Sequence, residues 1–101
     1  MSNIPPSVIP LENLALLLSD PARWAILLEL AKGEPLPVKE LARRVGRTPD
    51  MTSKHMAVFR DAGVAVVGYG RLYQLAPGLR PEPGATTLDL GHCLLKLDTR
   101  Q

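Results

Sequence analysis

Apolar side chains recur at helical spacing in four successive segments of the chain, and shorter extended segments follow them. Residues 11–18 place Leu11, Leu14 and Leu18 on one side of a short helix. So short a helix is unstable alone, and its apolar side must therefore pack against the chain's own core or against a partner.

The second helix is predicted by a strong start signal. Ser19 or Asp20 can accept hydrogen bonds from the first free amides, and Pro21 occupies a first-turn position that needs no donor. Apolar residues cover most of the helix surface as far as Ala31, and Gly33 ends it. We expect this helix to be the central, buried one.

Two further helices are predicted next, joined by a turn that contains glycine. In residues 38–45 apolar and charged positions form opposite sides of a helix, and Gly46 ends it. Thr48 and the proline after it repeat the capping signal and open a helix over residues 49–62, which Gly63 terminates. Two helices joined in this way have the layout of a helix-turn-helix.

After the fourth helix the pattern becomes extended. Residues 64–67 are rich in valine, residues 68–70 supply two glycines for a tight turn, and residues 71–75 return as a second strand. A helix-turn-helix followed by a hairpin has the element order of a winged helix. The predicted fold is mostly α with a small β-hairpin.

The C-terminal quarter carries weaker signals. Residues 77–84 are rich in proline and glycine, which is typical of a linker. In residues 86–98 two threonines and a central glycine favour a strand, although the leucine spacing also fits one side of a helix; we favour the strand. The predicted parts are an extended arm (1–10), a winged helix-turn-helix domain (11–76), a linker (77–85) and a tail for dimerisation (86–101).

The net charge of +2 hides an uneven distribution. Residues 39–80 carry eight basic and three acidic groups, a net charge of +5, whereas residues 1–38 are net −2 and the last 21 residues net −1. A basic middle between acidic ends indicates that one surface meets a polyanion.

Composition narrows the class of protein further. With 101 residues, of which 46% are apolar and 22% charged, the chain has the balance of one globular domain. It has no long apolar run and no targeting pattern near its start, so we expect a cytoplasmic protein without membrane contact. Cys93 beside His92 gives too few ligands for a metal site within one chain, and we expect no metal, no cofactor and no enzyme activity.

Residues 18–75 resemble the ArsR-type (arsenical-resistance repressor) winged-helix regulators. The resemblance rests on three stretches with their spacing intact: SDPARWAIL at 19–27, VKELA at 38–42, and SKHM at 53–56 leading to FRDAGV at 59–64. It implies a DNA-binding repressor, usually dimeric, whose second motif helix enters the major groove and whose wing contacts the backbone or minor groove.

The chain departs from the family in three places. Metal-sensing members carry cysteines in the first motif helix, whereas residues 38–44 contain no thiol, so metal sensing there is not expected. The usual long C-terminal dimerisation helix is replaced by a tail that contains glycine, and the wing is short. These departures leave the mode of dimerisation and the wing contact open.

The outer side of residues 49–62 is the predicted reading surface. A groove-reading helix needs small or polar side chains there, because base edges are reached only where nothing bulky blocks the approach. Asp50, Ser53 and Lys54 point outward in this helix, and Ser53 and Lys54 are the leading candidates for base or phosphate contact. Asp50 has a simpler role as a first-turn carboxylate favoured by the helix dipole.

Two residues at the edges of this helix have alternative roles. Thr48 can cap the helix, while the same helix end can present amides to a phosphate, and we favour the cap. The resemblance places a DNA-contacting histidine at His55. A half-buried histidine at the helix edge is an equally good interpretation.

The remaining DNA candidates are cationic or aromatic. Arg71, accompanied by Tyr69, follows the hairpin turn and can reach phosphate or a narrow minor groove. Arg43, Arg44 and Arg47 lie on or just after the helix that usually crosses the DNA backbone, and we expect one or two of them, Arg43 and Arg47 first, to position the protein.

The predicted function is sequence-specific binding of double-stranded DNA by a homodimeric transcriptional regulator, a repressor. Helix 49–62 lies in the major groove and wing 64–75 on backbone or minor groove. The predicted dimer contacts are Leu11, Leu14, Leu18, Leu88, Leu90 and Leu94. The alternative is a winged-helix module for protein interaction or assembly without direct DNA binding; it gives no reason for a basic face.

Overall fold

A computed structural model describes residues 9–97 of the chain, so most of the predicted arm, residues 1–8, and the end of the tail, residues 98–101, lie outside the described residues. The four helices occur in the predicted order and are followed by two hairpins. Their bounds are α1 Leu11–Leu17, α2 Pro21–Leu30, α3 Val38–Val45, α4 Pro49–Asp61, β1 Ala65–Val67, β2 Tyr73–Leu75, β3 Thr87–Asp89 and β4 Leu94–Lys96. The predicted fold class, mostly α with a winged helix-turn-helix, is confirmed.

The helix ends follow the capping chemistry of the sequence. Asp20 accepts from the amide of Ala22 at 2.7 Å and so caps α2. Gly46 takes a left-handed conformation with φ 71°, which ends α3 and makes the tight turn into α4. The turn between α3 and α4 is therefore short, and it holds the two motif helices against each other.

The core lies between α2, α3, α4 and the first hairpin. Ile26 and Leu27 of α2 are fully buried, together with Leu41 of α3 and with Met56 and Phe59 of α4. Burying each such side chain contributes about 1.5–3 kcal/mol of hydrophobic free energy. The inner side of α4 is thus fixed by packing, which leaves its other side to solvent.

The first hairpin has an additional pairing partner that the sequence did not predict. β1 and β2 pair antiparallel, with Val66 opposite Gln74. Leu36, in the connection between α2 and α3, also pairs with Tyr73 through two backbone bonds of 3.0 and 2.7 Å. The hairpin, which we call the wing, is thereby fastened to the chain segment that precedes α3.

The tail forms a second hairpin, in which β3 and β4 pair antiparallel. The strand prediction is confirmed for this segment, and the helical alternative is wrong. Gly91, with φ 93°, stands in the turn between the strands, where a positive φ suits a tight hairpin.

Three of the predicted dimer-contact leucines belong to the chain's own core. Leu88 and Leu90 are buried beside the tail hairpin, and Leu14 is buried on the inner side of α1. This corrects the prediction that these three leucines are dimer contacts, because their side chains are buried within a single chain. The segment that connects the wing to the tail hairpin is also held in place, because Arg80 Nε donates to the carbonyl of Leu75 at 2.8 Å.

Among residues 9–97, every helix is too short or too polar to cross a lipid bilayer.

Candidate nucleic-acid interface

The two sides of α4 differ sharply in exposure. Thr52, His55, Met56 and Phe59 are buried, whereas the opposite side of the helix is open to solvent. The exposed side chains of its first two turns after Pro49 are Asp50, Met51, Ser53, Lys54 and Ala57, and Arg60 and Asp61 are exposed at its end. All but one of these are small or polar, as a surface that approaches base edges requires.

Lys54 is the exposed cation in the middle of this surface, and Arg60 is a second one in the last turn of α4. Among the described residues, no carboxylate lies within ion-pair distance of the Lys54 Nζ atom. Its charge is therefore not neutralised locally and remains available to a phosphate or a guanine.

Met51 is an exposed apolar residue that the sequence analysis did not single out. About half of the residue is accessible, at the solvent side of the first turn of α4. The sequence did indicate its position: Met51 lies one residue after Asp50 and two before Ser53, on the same side of the helix as these polar candidates. An apolar side chain there can contact the methyl group of a thymine.

Thr48 is the N-cap of α4. Its Oγ1 accepts from the amide of Met51 at 3.1 Å, and its backbone is extended, as an N-cap requires. The first turn of the helix also carries the acidic Asp50, which compensates the positive end of the helix dipole. Capping, the favoured interpretation of Thr48, is thus its observed contact.

The tip of the wing presents Tyr69 and Arg71 to solvent. Tyr69 is fully exposed. Gly70 and Arg71 have φ of 77° and 62°, so two successive residues adopt the left-handed conformation. Of the two glycines predicted to form the tight turn, only Gly70 has a positive φ, and Gly68, with φ −107°, is extended. Within residues 9–97, no carboxylate pairs with Arg71.

The arginines of α3, in contrast, are paired with carboxylates of the protein. Arg43 forms a hydrogen-bonded ion pair with Glu40, and Arg44 Nε donates to the same carboxylate at 2.8 Å. These contacts hold the pKa of Glu40 at about 2, because the bond from Arg43 and then that from Arg44 stabilise the carboxylate. Arg44 also lies 3.2 Å from Glu34. The positive charge of α3 is therefore partly compensated within the protein.

Arg47 lies exposed between α3 and α4. Its nearest recorded partner is the carbonyl of Gly46, at 3.4 Å from Nη1, a long and weak contact. Arg47 thus joins Lys54 and Arg71 as a cation without an acidic partner among residues 9–97.

His55 does not share the exposed side of α4. Only 7% of the residue is accessible, and its Nδ1 lies 3.1 Å from Nη1 of Arg23 on α2. His55 is thus buried more deeply than the half-buried interpretation predicts, and its observed side-chain contact is with Arg23. Arg23 was missed by the sequence analysis, because nothing local to it indicates a partner 32 positions away.

Exposed apolar side chains also occur on α1 and α2. Leu11 and Leu16 are 60% and 61% exposed, and Trp24 of α2 is 37% exposed. Leu18 is half-buried, and Leu94 of β4 is exposed at the other end of the chain. Of the predicted dimer contacts, Leu11, Leu18 and Leu94 therefore keep accessible surface.

His92 lies in the turn of the tail hairpin, and Cys93 follows it directly before β4. Cys93 is half-buried, and burial, followed by the charge of Asp89, raises the pKa of its thiol above the ordinary value. Within residues 9–97, no three His, Cys, Asp or Glu side chains are grouped so that they could hold a metal ion.

Comparison with known families identifies the central part of the chain. Residues 18–67 match a family described as a helix-turn-helix domain. The match runs from the end of α1 through α4 to the end of β1, so it covers both motif helices and the first strand of the wing. No curated protein and no solved structure matches the chain.

Proposed function

Because residues 18–67 form a helix-turn-helix domain, we propose that this protein binds duplex DNA in a sequence-specific way and regulates transcription. In this proposal α4 enters the major groove and the wing lies on the backbone or in the adjacent minor groove. The resemblance to ArsR-type regulators supports repression as the outcome.

One observation carries the proposal. Lys54 on the exposed side of α4, Arg47 on the turn before it and Arg71 at the wing tip have no acidic partner among residues 9–97, whereas Arg43 and Arg44 of α3 do. The exposed Arg60 of α4 and Lys39 of α3 likewise have no ion pair among these residues. A protein gains little stability from unpaired surface cations, but DNA phosphates supply the missing anions. Charge left uncompensated on a small, polar helix surface is what duplex binding needs.

Each candidate has a distinct role in this arrangement. Ser53 and Lys54 reach base edges or phosphate from the middle of α4, and Asp50 can accept from a cytosine amine. Arg71 and Tyr69 contact the DNA flanking the reading helix. Arg47, which has no acidic partner among residues 9–97, and Arg43, which keeps its pair with Glu40, lie where the motif crosses the backbone and help to fix the register.

We further propose that the protein acts as a homodimer. Leu11 and Leu16 of α1 are the exposed apolar side chains that a second copy would cover. A two-fold dimer would place two copies of α4 in successive major grooves about 10 base pairs apart. The expected binding site is therefore an inverted repeat.

Selection of bound duplexes from a random pool tests the proposal. We expect an enriched inverted repeat, and we expect Lys54→Ala and Arg71→Ala each to weaken binding by about 1–3 kcal/mol if the side chain contacts a base, less for phosphate alone. Lys96→Ala, on the exposed side of β4, is the matched control and should bind like the unmodified chain. A pool without enrichment would refute this function and favour a protein-interaction module. Unchanged affinity in both variants would refute the assignment of α4 and the wing as the DNA-binding face.

A further inference from the structure

A single arginine of α2 joins three helices. Arg23 Nε donates to the carbonyl of Leu17 at 2.9 Å, and its Nη2 donates to the carbonyl of Leu16 at 3.0 Å; both carbonyls lie at the end of α1. The third nitrogen, Nη1, lies 3.1 Å from Nδ1 of His55 on α4. One guanidinium therefore connects the end of α1 to the helix that carries the proposed reading surface.

The chemistry of this contact defines the state of His55. A guanidinium offers donors and no acceptor, so Nδ1 of His55 must accept. The ring is then neutral, with its proton on Nε2. Because His55 is 7% exposed, water has little access to replace the contact if it is lost.

We propose that Arg23 is a positioning residue, which sets the orientation of the exposed side of α4 relative to α1 and so controls DNA affinity without touching DNA. The inference rests on the proposed function. Since α1 also carries Leu11 and Leu16 of the proposed dimer surface, the same guanidinium couples that surface to the reading helix.

A neighbouring residue provides a matched control. Trp24 Nε1 donates to the carbonyl of Leu18 at 3.0 Å, so it too ties α2 to the end of α1. Within residues 9–97, no hydrogen bond links the Trp24 side chain to α4. Trp24→Phe removes only a hydrogen bond between α2 and the end of α1. Arg23→Lys keeps the positive charge but removes the branched guanidinium, whose Nη1 atom contacts His55 on α4.

The first test measures the tautomer of His55 without DNA. We expect the ¹⁵N resonances of the imidazole at neutral pH to show an unprotonated Nδ1 and a protonated Nε2. A ring that carries its proton on Nδ1 would overturn the inference, because it could not accept from Arg23. This measurement needs no substitution and does not depend on how the variants fold.

The second test measures affinity for the duplex that the unmodified chain selects from a random pool. We expect Arg23→Lys to weaken binding about tenfold, with the slope of affinity against salt unchanged, and Trp24→Phe to bind normally. An Arg23→Lys variant that binds normally would overturn the inference. So would a slope reduced by about one in that variant, which would mean that Arg23 contacts a phosphate.

The third test separates positioning from direct contact at His55. His55→Asn keeps an acceptor close to the place of Nδ1 and removes Nε2, whereas His55→Ala removes both. We expect His55→Asn to retain most of the affinity and His55→Ala to lose about tenfold. Equal losses would show that His55 does not act as the acceptor of Arg23.

The two levels of the proposal fail separately. An unmodified chain that binds no duplex would refute the proposed function, whatever the state of His55. A chain that binds duplex but has a Nδ1-protonated His55 would leave the function standing and remove the role of Arg23.

Discussion

At the scale of single residues, the backbone of Arg71 departs most from what its side chain prefers. Among residues 9–97 it is the one non-glycine residue with a positive φ, at 62°. The left-handed conformation costs an L-residue with a Cβ atom roughly 1–2 kcal/mol. Strain of this kind at an exposed turn is tolerated where the side chain has a task, which here is to place a guanidinium at the tip of the wing.

Replacement of Arg71 by glycine should separate stability from binding. We expect Arg71→Gly to raise the free energy of unfolding by about 1 kcal/mol, because glycine adopts this conformation without strain, and at the same time to weaken DNA binding. Urea unfolding and duplex affinity are the two measurements. Arg71→Lys keeps both the strain and the charge and is the control. A glycine variant that binds DNA as tightly as the unmodified chain would remove Arg71 from the interface.

At the scale of secondary-structure elements, α3 carries its own electrostatic support. Glu40 lies one turn before Arg43 and Arg44 and pairs with both, the arrangement that stabilises a helix through neighbouring side chains. The carboxylate is more strongly favoured in the folded chain than in the unfolded one, since the folded pKa is about 2 and the ordinary value is 4.5.

This pairing predicts a pH dependence. A lowered folded pKa contributes stability that is fully present above pH 4.5 and is lost as the pH falls toward 2. We expect Glu40→Gln to destabilise the chain at pH 7, with a smaller difference from the unmodified chain at pH 2.5. Urea midpoints at both values measure it, and Glu82→Gln, in the exposed connecting segment, is the control. A deficit that is the same at both pH values would contradict the ion pair.

The elements were largely predictable because their signals are local. Thr48 and Gly46 mark helix ends within a few positions of the apolar pattern that they bound, and the valines after Gly63 mark a strand. The pairing of Leu36 with Tyr73 was not predictable in this way, since it is a single bridge between residues far apart in the chain. The contact between Arg23 and His55 was not predictable either, because it depends on how α2 and α4 pack.

At the scale of the whole molecule, the tail hairpin completes the core. The sequence predicted a tail for dimerisation, but Leu88 and Leu90 belong to the chain's own buried cluster, together with residues of the helices and of the first hairpin. Alternation of apolar residues reports which side of a strand is buried, but not whether its own chain or a second copy covers it.

Replacement of a buried tail leucine should therefore destabilise each chain by itself. We expect Leu90→Ala to lower the free energy of unfolding by about 2–5 kcal/mol, and Leu94→Ala, which alters a residue 63% exposed, to change it little. Urea unfolding at two protein concentrations distinguishes the causes. A Leu90→Ala effect that vanishes at high protein concentration would indicate an interface between copies rather than a core residue.

The most direct test of the account is a titration of the ¹⁵N-labelled chain with the duplex that it selects, followed by amide resonances. The account predicts that amide resonances of residues 50–54 in α4 and 69–71 in the wing move together with added DNA, while those of residues 87–96 in the tail hairpin stay in place. Shifts concentrated in the tail hairpin or α1, with none in α4, would contradict the assignment of α4 and the wing as the DNA-binding surface.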